Sequence, residues 1–157
     1  MSRHHARKQA LSLLYQLSIR PKSKQEQRQR FVEEYPVGSE DDVLYFNRLI
    51  DGVLEHQEEI RKIISKYLRG WTLDRQEIID VAILSIGVFE LLFDDEVPTE
   101  IAISEAVILA DTYGTDQSRP FVNAVLGNVD RNEKKRVLQH SEDNNLKKRQ
   151  QSEEAHE

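Results

Sequence analysis

Residues 74–93 constrain the fold more than any other stretch of the sequence. Ile78, Ile79, Ala82, Ile83, Ile86, Phe89, Glu90 and Leu91 recur at helical spacing. Val81, Leu84, Val88 and Leu92 widen the apolar arc well beyond a single face. A helix apolar on so many sides belongs at the centre of a domain, wrapped by other elements. It is not a membrane span, because no apolar run in the chain reaches the roughly 18 residues a bilayer requires. The chain must therefore supply its own cover.

That cover reads as further helices. Ala6, Ala10, Leu13, Leu14 and Leu17 form one apolar stripe over residues 5–18, with Pro21 as the stop. Ser23-Lys24-Gln25-Glu26 has the capping-box pattern and precedes Phe31, Val32 and Tyr35. Pro36 and Gly38 break the chain. Asp41 or Asp42 is then placed to cap a helix carrying Val43, Phe46, Leu49, Ile50, Val53 and Leu54. The pattern slips at His56 and resumes with Ile60, Ile63, Ile64, Tyr67 and Leu68, so two consecutive helices or one kinked helix are expected, ended by Gly70. Trp71 and Leu73 are expected to drop into the core beside the turn. Asp94-Asp95-Glu96 and Pro98 close the central helix. Thr99 is placed to cap the next, with Ile101, Ile103, Ala106, Val107, Leu109, Ala110 and Tyr113 following and Gly114 expected as a left-handed terminator. Ser118 is placed to cap the last helix, with Pro120 in its first turn. Phe121, Val122, Val125, Leu126 and Val129 supply its buried face. The fold class is all-α, with about seven helices. Residues 1–130 form the domain. Residues 131–157 form a charged tail, in which 130–138 could extend the last helix and the remainder is expected to be disordered, since it is too poor in apolar residues to offset its ordering entropy.

Charge is unevenly distributed. The net charge is −6. Residues 1–30 carry +7, residues 31–129 carry −13, and residues 130–157 are neutral. A basic head suits a polyanion and an acidic body suits a basic partner. The chain has no cysteine, which excludes a disulfide scaffold, a thiolate zinc site and a thiol nucleophile, and is compatible with a reducing, cytoplasmic home. Four prolines and six glycines are few for a loop-rich β fold. No phosphate-binding glycine loop, dinucleotide fingerprint or HExxH motif occurs, and the five histidines are scattered. No catalytic constellation, metal site or cofactor site is expected.

Two places suit RNA. Arg3, His4, His5, Arg7 and Lys8 surround the start of the first helix, where free backbone N–H groups add to the positive potential. Arg119 and Phe121 open the last helix, pairing a cation with an aromatic able to stack on an unpaired base.

The order of motifs resembles the bacterial transcription antitermination factor NusB family. The likeness is carried by Ala6 to Leu17, and by Tyr45-Phe46 with Leu49 and Gly52-Val53. It continues in Trp71 to Arg75, Asp80, Ala82-Ile83-Leu84 and Phe89-Glu90-Leu91-Leu92. Val97-Pro98, Ala102 to Ala106, Ala110, Tyr113-Gly114, Ser118 and Phe121 to Leu126 complete it. The resemblance runs from about residue 3 to residue 129. It implies two packed helical bundles, binding to boxA RNA of ribosomal RNA operons, and pairing with NusE, the small-subunit ribosomal protein. It further implies entry into an RNA polymerase antitermination complex that reads through terminators. Some members pair with themselves, so a homodimer is open. Arg3, Arg7 and Lys8 map onto the family's RNA-binding stretch, Phe121 onto an aromatic near the RNA, and Tyr15 and Asp80 onto its NusE-binding face. His4 and His5 stand where the family has arginines, and Pro120 where it usually has lysine; RNA affinity is therefore expected to rise as pH falls through about 6.5, the ordinary histidine value. Competing readings are the NusB-like RNA-binding domain of rRNA cytosine methyltransferases and a protein-interaction module without RNA. The first needs a catalytic domain for which 157 residues leave no room.

Overall fold

Seven α-helices follow one another: α1 (His4–Ile19), α2 (Lys24–Glu34), α3 (Glu40–Glu55), α4 (Gln57–Lys66), α5 (Ile78–Leu92), α6 (Thr99–Tyr113) and α7 (Ser118–Asn132). A 3-10 turn, Leu73–Arg75, precedes α5. This computed structural model describes residues 3–70 and 72–136, and no strand occurs among them. Trp71 and the tail beyond residue 136 lie outside the described residues, as do the expectations placed on them. No helix among the described residues is long and apolar enough to cross a membrane.

The central position of α5 follows from its composition. Every residue from Ala82 to Leu92 is buried. α1, α3 and α4 cover one side and α6 and α7 the other, so two bundles share α5 as a common wall. α2 packs on α1 alone among the larger contacts, capping the first bundle with Phe31, whose ring stacks 6.2 Å from that of Phe46. Gly52 permits a close approach of α3 to α5: a Cβ there would collide with the Phe89 ring of α5. Leu73 packs against the core as expected.

The helices stand where the apolar pattern puts them, but several ends differ. Ser23 precedes α2 in a left-handed conformation (φ 59°), and its side chain makes no capping bond. α3 is capped by Ser39 rather than by Asp41 or Asp42. The Ser39 hydroxyl accepts the Asp42 N–H at 3.2 Å, and the Asp42 carboxylate accepts the Ser39 N–H at 3.3 Å. His56 is the single junction between α3 and α4, which are two helices. α4 ends at Lys66, with positive φ at both Arg69 and Gly70. Thr99 is the first residue of α6 and not its cap. Gly114 is extended (φ −90°, ψ −166°), not left-handed. A glycine fits there because a Cβ would strike the Ser118 side chain, whose hydroxyl accepts the Thr115 N–H at 2.9 Å. Ser118 thereby secures the turn while opening α7 as its first residue. α7 stops at Asn132 and residues 133–135 are not helical, so the last helix does not run on continuously; the expectation for residues 137 and 138 lies outside the described residues.

Candidate nucleic-acid interface

The first turn of α1 sits against α3, α5 and α6, and its charges face three different fates. Arg7 lies on the apolar stripe of α1, three and four residues before Ala10 and Leu11. It is 3% exposed, and Glu90, in the middle of α5, is 1% exposed. Arg7 Nε donates to both Glu90 oxygens at 3.0 Å, and Nη2 donates to Oε2 at 2.9 Å. The Tyr45 hydroxyl of α3 donates to the same Glu90 oxygen. Burial pushes the Glu90 carboxyl above its ordinary value, against the opposing pull of Arg7 and Tyr45. Burial and the Glu90 charge together raise the Tyr45 hydroxyl, keeping it protonated as a donor. This corrects the sequence expectation for Arg7. Its guanidinium is an internal bolt joining α1 to α5, and is not a free phosphate contact. A long polar side chain fits an apolar stripe here because its partner arrives from α5.

Arg3 and His4 are partly engaged. The Arg3 guanidinium covers the Tyr45 ring at 4.3 Å and lies 3.8 Å from Glu96. His4 Nδ1 lies 2.9 Å from Glu105 of α6, which is also 3.8 Å from Arg7. His5 and Lys8 are exposed. Arg48 of α3 reinforces the neighbouring loop, donating to Asp94 at 2.8 Å and to Glu96 at 3.3 Å. The exposed cations of the head therefore ride on a fixed platform of ion pairs.

The second pair of expected residues stands apart from the first. Arg119 is exposed and Phe121 is half-buried against the core at the start of α7. The neighbour there is Asp80, in the first turn of α5 and beside Ser118. Asp80 is ten residues from Glu90, about 15 Å along one helix. Asp80 is buried, and its Oδ1 has no hydrogen-bond partner among the described residues. Burial raises its carboxyl above the ordinary value, with Ser118 opposing the rise and the Glu77 charge adding to it.

Tyr15 borders an open groove of about 590 Å³ between α1 and α2, lined also by Gln9, Ser12, Ile19, Phe31 and Tyr35. Ile19 and Tyr35 are half exposed, 50% and 51%, and Tyr15 is 39% exposed. Exposed apolar side chains around a groove mark a protein-binding surface more than an RNA-binding one. The sequence reading singled out Tyr15 alone. Ile19 and Tyr35 carry no signal as separate residues, because only the packing of α2 on α1 brings them together.

A helical body with a basic, platform-mounted helix start and a separate aromatic-edged groove defines an all-α binding protein with two kinds of surface. The chain belongs to the NusB family, whose sequence pattern matches residues 4–131. It is 39% identical over 129 residues to the transcription antitermination protein NusB of Acetivibrio thermocellus, covering 82% of this chain and 88% of that protein. It is 43% identical over 135 residues to the NusB of Leifsonia xyli subsp. xyli, covering 83% and 92%. Among solved structures it is similar to T. maritima NusB, with a TM-score of 0.78, 29% identity, and 86% and 94% of the two chains covered. It is also similar to a chain in the crystal structure of antitermination factors NusB and NusE in complex with dsRNA, with a TM-score of 0.76, 30% identity, and coverage of 83% and 98%.

Proposed function

We propose that this protein is a cytoplasmic transcription antitermination factor that binds boxA-type RNA together with the ribosomal protein NusE. The pair then joins RNA polymerase and carries it past terminators. The protein acts by binding, not by catalysis. The observation that carries this reading is the match to a chain from a structure solved with NusE and dsRNA, which spans 98% of that chain and 83% of this one. The RNA-binding helical domain is assigned to residues 1–130, with 131–157 as an appended charged segment.

The RNA contact is assigned to Arg3, His4, His5 and Lys8 around the α1 start, with Arg119 and Phe121 as a separate contact at the α7 start. Arg7 supports this surface from beneath by fixing α1 to α5. The protein partner is assigned to the α1–α2 groove at Tyr15 and to the neighbourhood of Asp80. An acidic body facing a basic ribosomal protein adds electrostatic complementarity.

The test is RNA binding with and without the ribosomal partner across a salt series. Affinity is expected to increase with the partner and to fall steeply with salt. Replacing Arg3 and Lys8 with alanine is expected to weaken RNA binding and flatten the salt slope by about 1 to 2, leaving partner binding intact. No binding of a boxA-type RNA even with the partner present would remove the reading.

A further inference from the structure

The acidic body hides a basic surface that the fold assembles from two distant segments. Five of the seven bases between residues 31 and 129 fall in 61–75, where Asp74 is the only acid. Residues 131–136 hold four bases and one acid, Glu133. The structure places these two segments against each other. Lys66 donates to Glu133 at 3.0 Å, and the Tyr67 hydroxyl donates to its other oxygen at 3.2 Å. Arg136 donates to Glu59 at 3.0 Å and lies 3.5 Å from Glu133. The segment after α7 thus runs antiparallel along the face of α4 that carries Glu59, Lys62 and Lys66 at helical spacings of three and four residues.

The ion pairs engage Glu59 and Glu133; Glu55 and Glu58, which line a cleft with Lys62, form no ion pair among the described residues, and a surplus of cations remains beyond them. Lys62, Arg69, Lys134 and Lys135 have no ion-pair partner among the described residues. Lys62, Arg69 and Lys134 are exposed and Lys135 is half-buried. Among the described residues, none of the exposed large apolar side chains lies on α4 or in 133–136. A protein interface is built around a desolvated apolar or aromatic centre, which this surface lacks. A row of unpaired cations without such a centre suits a linear polyanion held through its phosphates, independently of sequence. The surface also stands away from the α1 head. Arg61 of α4 shares a cleft with Leu17, which is ten residues, or about 15 Å of helix, beyond Arg7.

We infer that the α4 face and the segment 131–136 form a second RNA surface, which holds the phosphate backbone of RNA flanking the element bound by the head. This deepens the proposed function and rests on it. In use, the head supplies recognition of the element together with the ribosomal partner, and the second surface grips its continuation. A transcript still emerging from polymerase offers such flanking RNA.

The experiment measures full-chain affinity for a short boxA-type RNA and for the same element extended by about fifteen nucleotides on each side, over a salt series. The comparison variant carries Lys62→Gln, Arg69→Gln, Lys134→Gln and Lys135→Gln, none of them buried, and its fold is checked by circular dichroism. The wild type is expected to bind the extended RNA about tenfold more tightly than the short one, with a steeper salt slope. The variant is expected to lose that gain, flattening the slope on the extended RNA by up to about 3, and to bind the short RNA as the wild type does. A wild type that binds the short RNA but gains nothing from the extension overturns the second surface alone. So does a gain that survives in the variant, which would mean that the cations serve another acidic partner. A wild type that binds neither RNA overturns both this inference and the function on which it rests.

Discussion

Arg7–Glu90 and Lys66–Glu133 are both cation–carboxylate pairs that tie one helix to a distant part of the chain, yet they belong to opposite regimes. The first is enclosed, with both side chains at most 4% exposed. The second joins a 56% exposed lysine to a shielded glutamate. An enclosed pair is costly to form and more costly to break, because either partner alone is a buried charge without compensation. A pair at the surface trades one hydrated state for another and adds little. The difference separates two meanings of a basic residue in this protein. Arg7 belongs to the architecture, whereas Lys8, one residue later, belongs to the surface.

Three measurements can break or sharpen that contrast. The largest effect is expected for Arg7→Ala, which should lower unfolding free energy in denaturant by about 3 to 5 kcal/mol, while the double change Arg7→Met with Glu90→Met recovers only part of the loss, because the buried Tyr45 hydroxyl then has no acceptor. A stable Arg7→Ala protein with impaired RNA binding alone would return Arg7 to the interface and dissolve the contrast. Next comes Asp80→Asn, which removes a buried charge at a position where Oδ1 has no hydrogen-bond partner among the described residues; it should raise stability at neutral pH by about 1 kcal/mol. Folded Asp80 holds its proton more tightly than an unfolded aspartate, so its carboxylate is a liability at neutral pH that is relieved as pH falls through the raised value. The advantage of the asparagine variant should therefore shrink with acidification, and one that is constant with pH would place the charge elsewhere. The smallest effect is expected for Glu133→Gln, under about 1 kcal/mol in global stability. Its signature is local: faster amide exchange in residues 133–136. Although burial opposes it, the combined pull of Lys66, Arg136 and Tyr67 holds the Glu133 carboxyl below its ordinary 4.5. The contribution of Glu133 is thus complete above about 4.5 and is lost as pH falls through the lower folded value. Amide protection of the segment that shows no such loss would detach it from Glu133.

Most of the fold was legible because helical periodicity is local. The run from Ile78 to Leu92 announced its central place through its own side chains, and the slip at His56 marked a true junction. Helix ends were less legible, since a cap depends on the exact path of the turn. Ser23 has the right neighbours but a left-handed backbone, whereas Ser39, passed over in favour of the aspartates, has the extended geometry that lets its hydroxyl reach Asp42. Gly114 shows the same limit: its small size answers the Ser118 side chain, a contact invisible in the one-dimensional pattern.

The site was legible in kind but not in detail. Summed charge located the basic head, yet a sum cannot distinguish a solvated arginine from one bonded to a residue 83 positions away. A sharper signal was present: Arg7 and Glu90 each interrupt an apolar helical face, and two such interruptions of opposite sign invite pairing. The same averaging concealed the α4 surface, because five bases in 61–75 vanish into a body of net −13.

The enclosure of α5 also governs how this protein can change. From Ala82 to Leu92 it has no outward position, so every substitution there must be negotiated with a neighbouring helix. Surface residues such as Lys8, Lys62 and Arg119 face no such negotiation. Shifts in ligand preference can accumulate on the outer helices without rewriting the interior, which separates the inheritance of the fold from the tuning of what it binds.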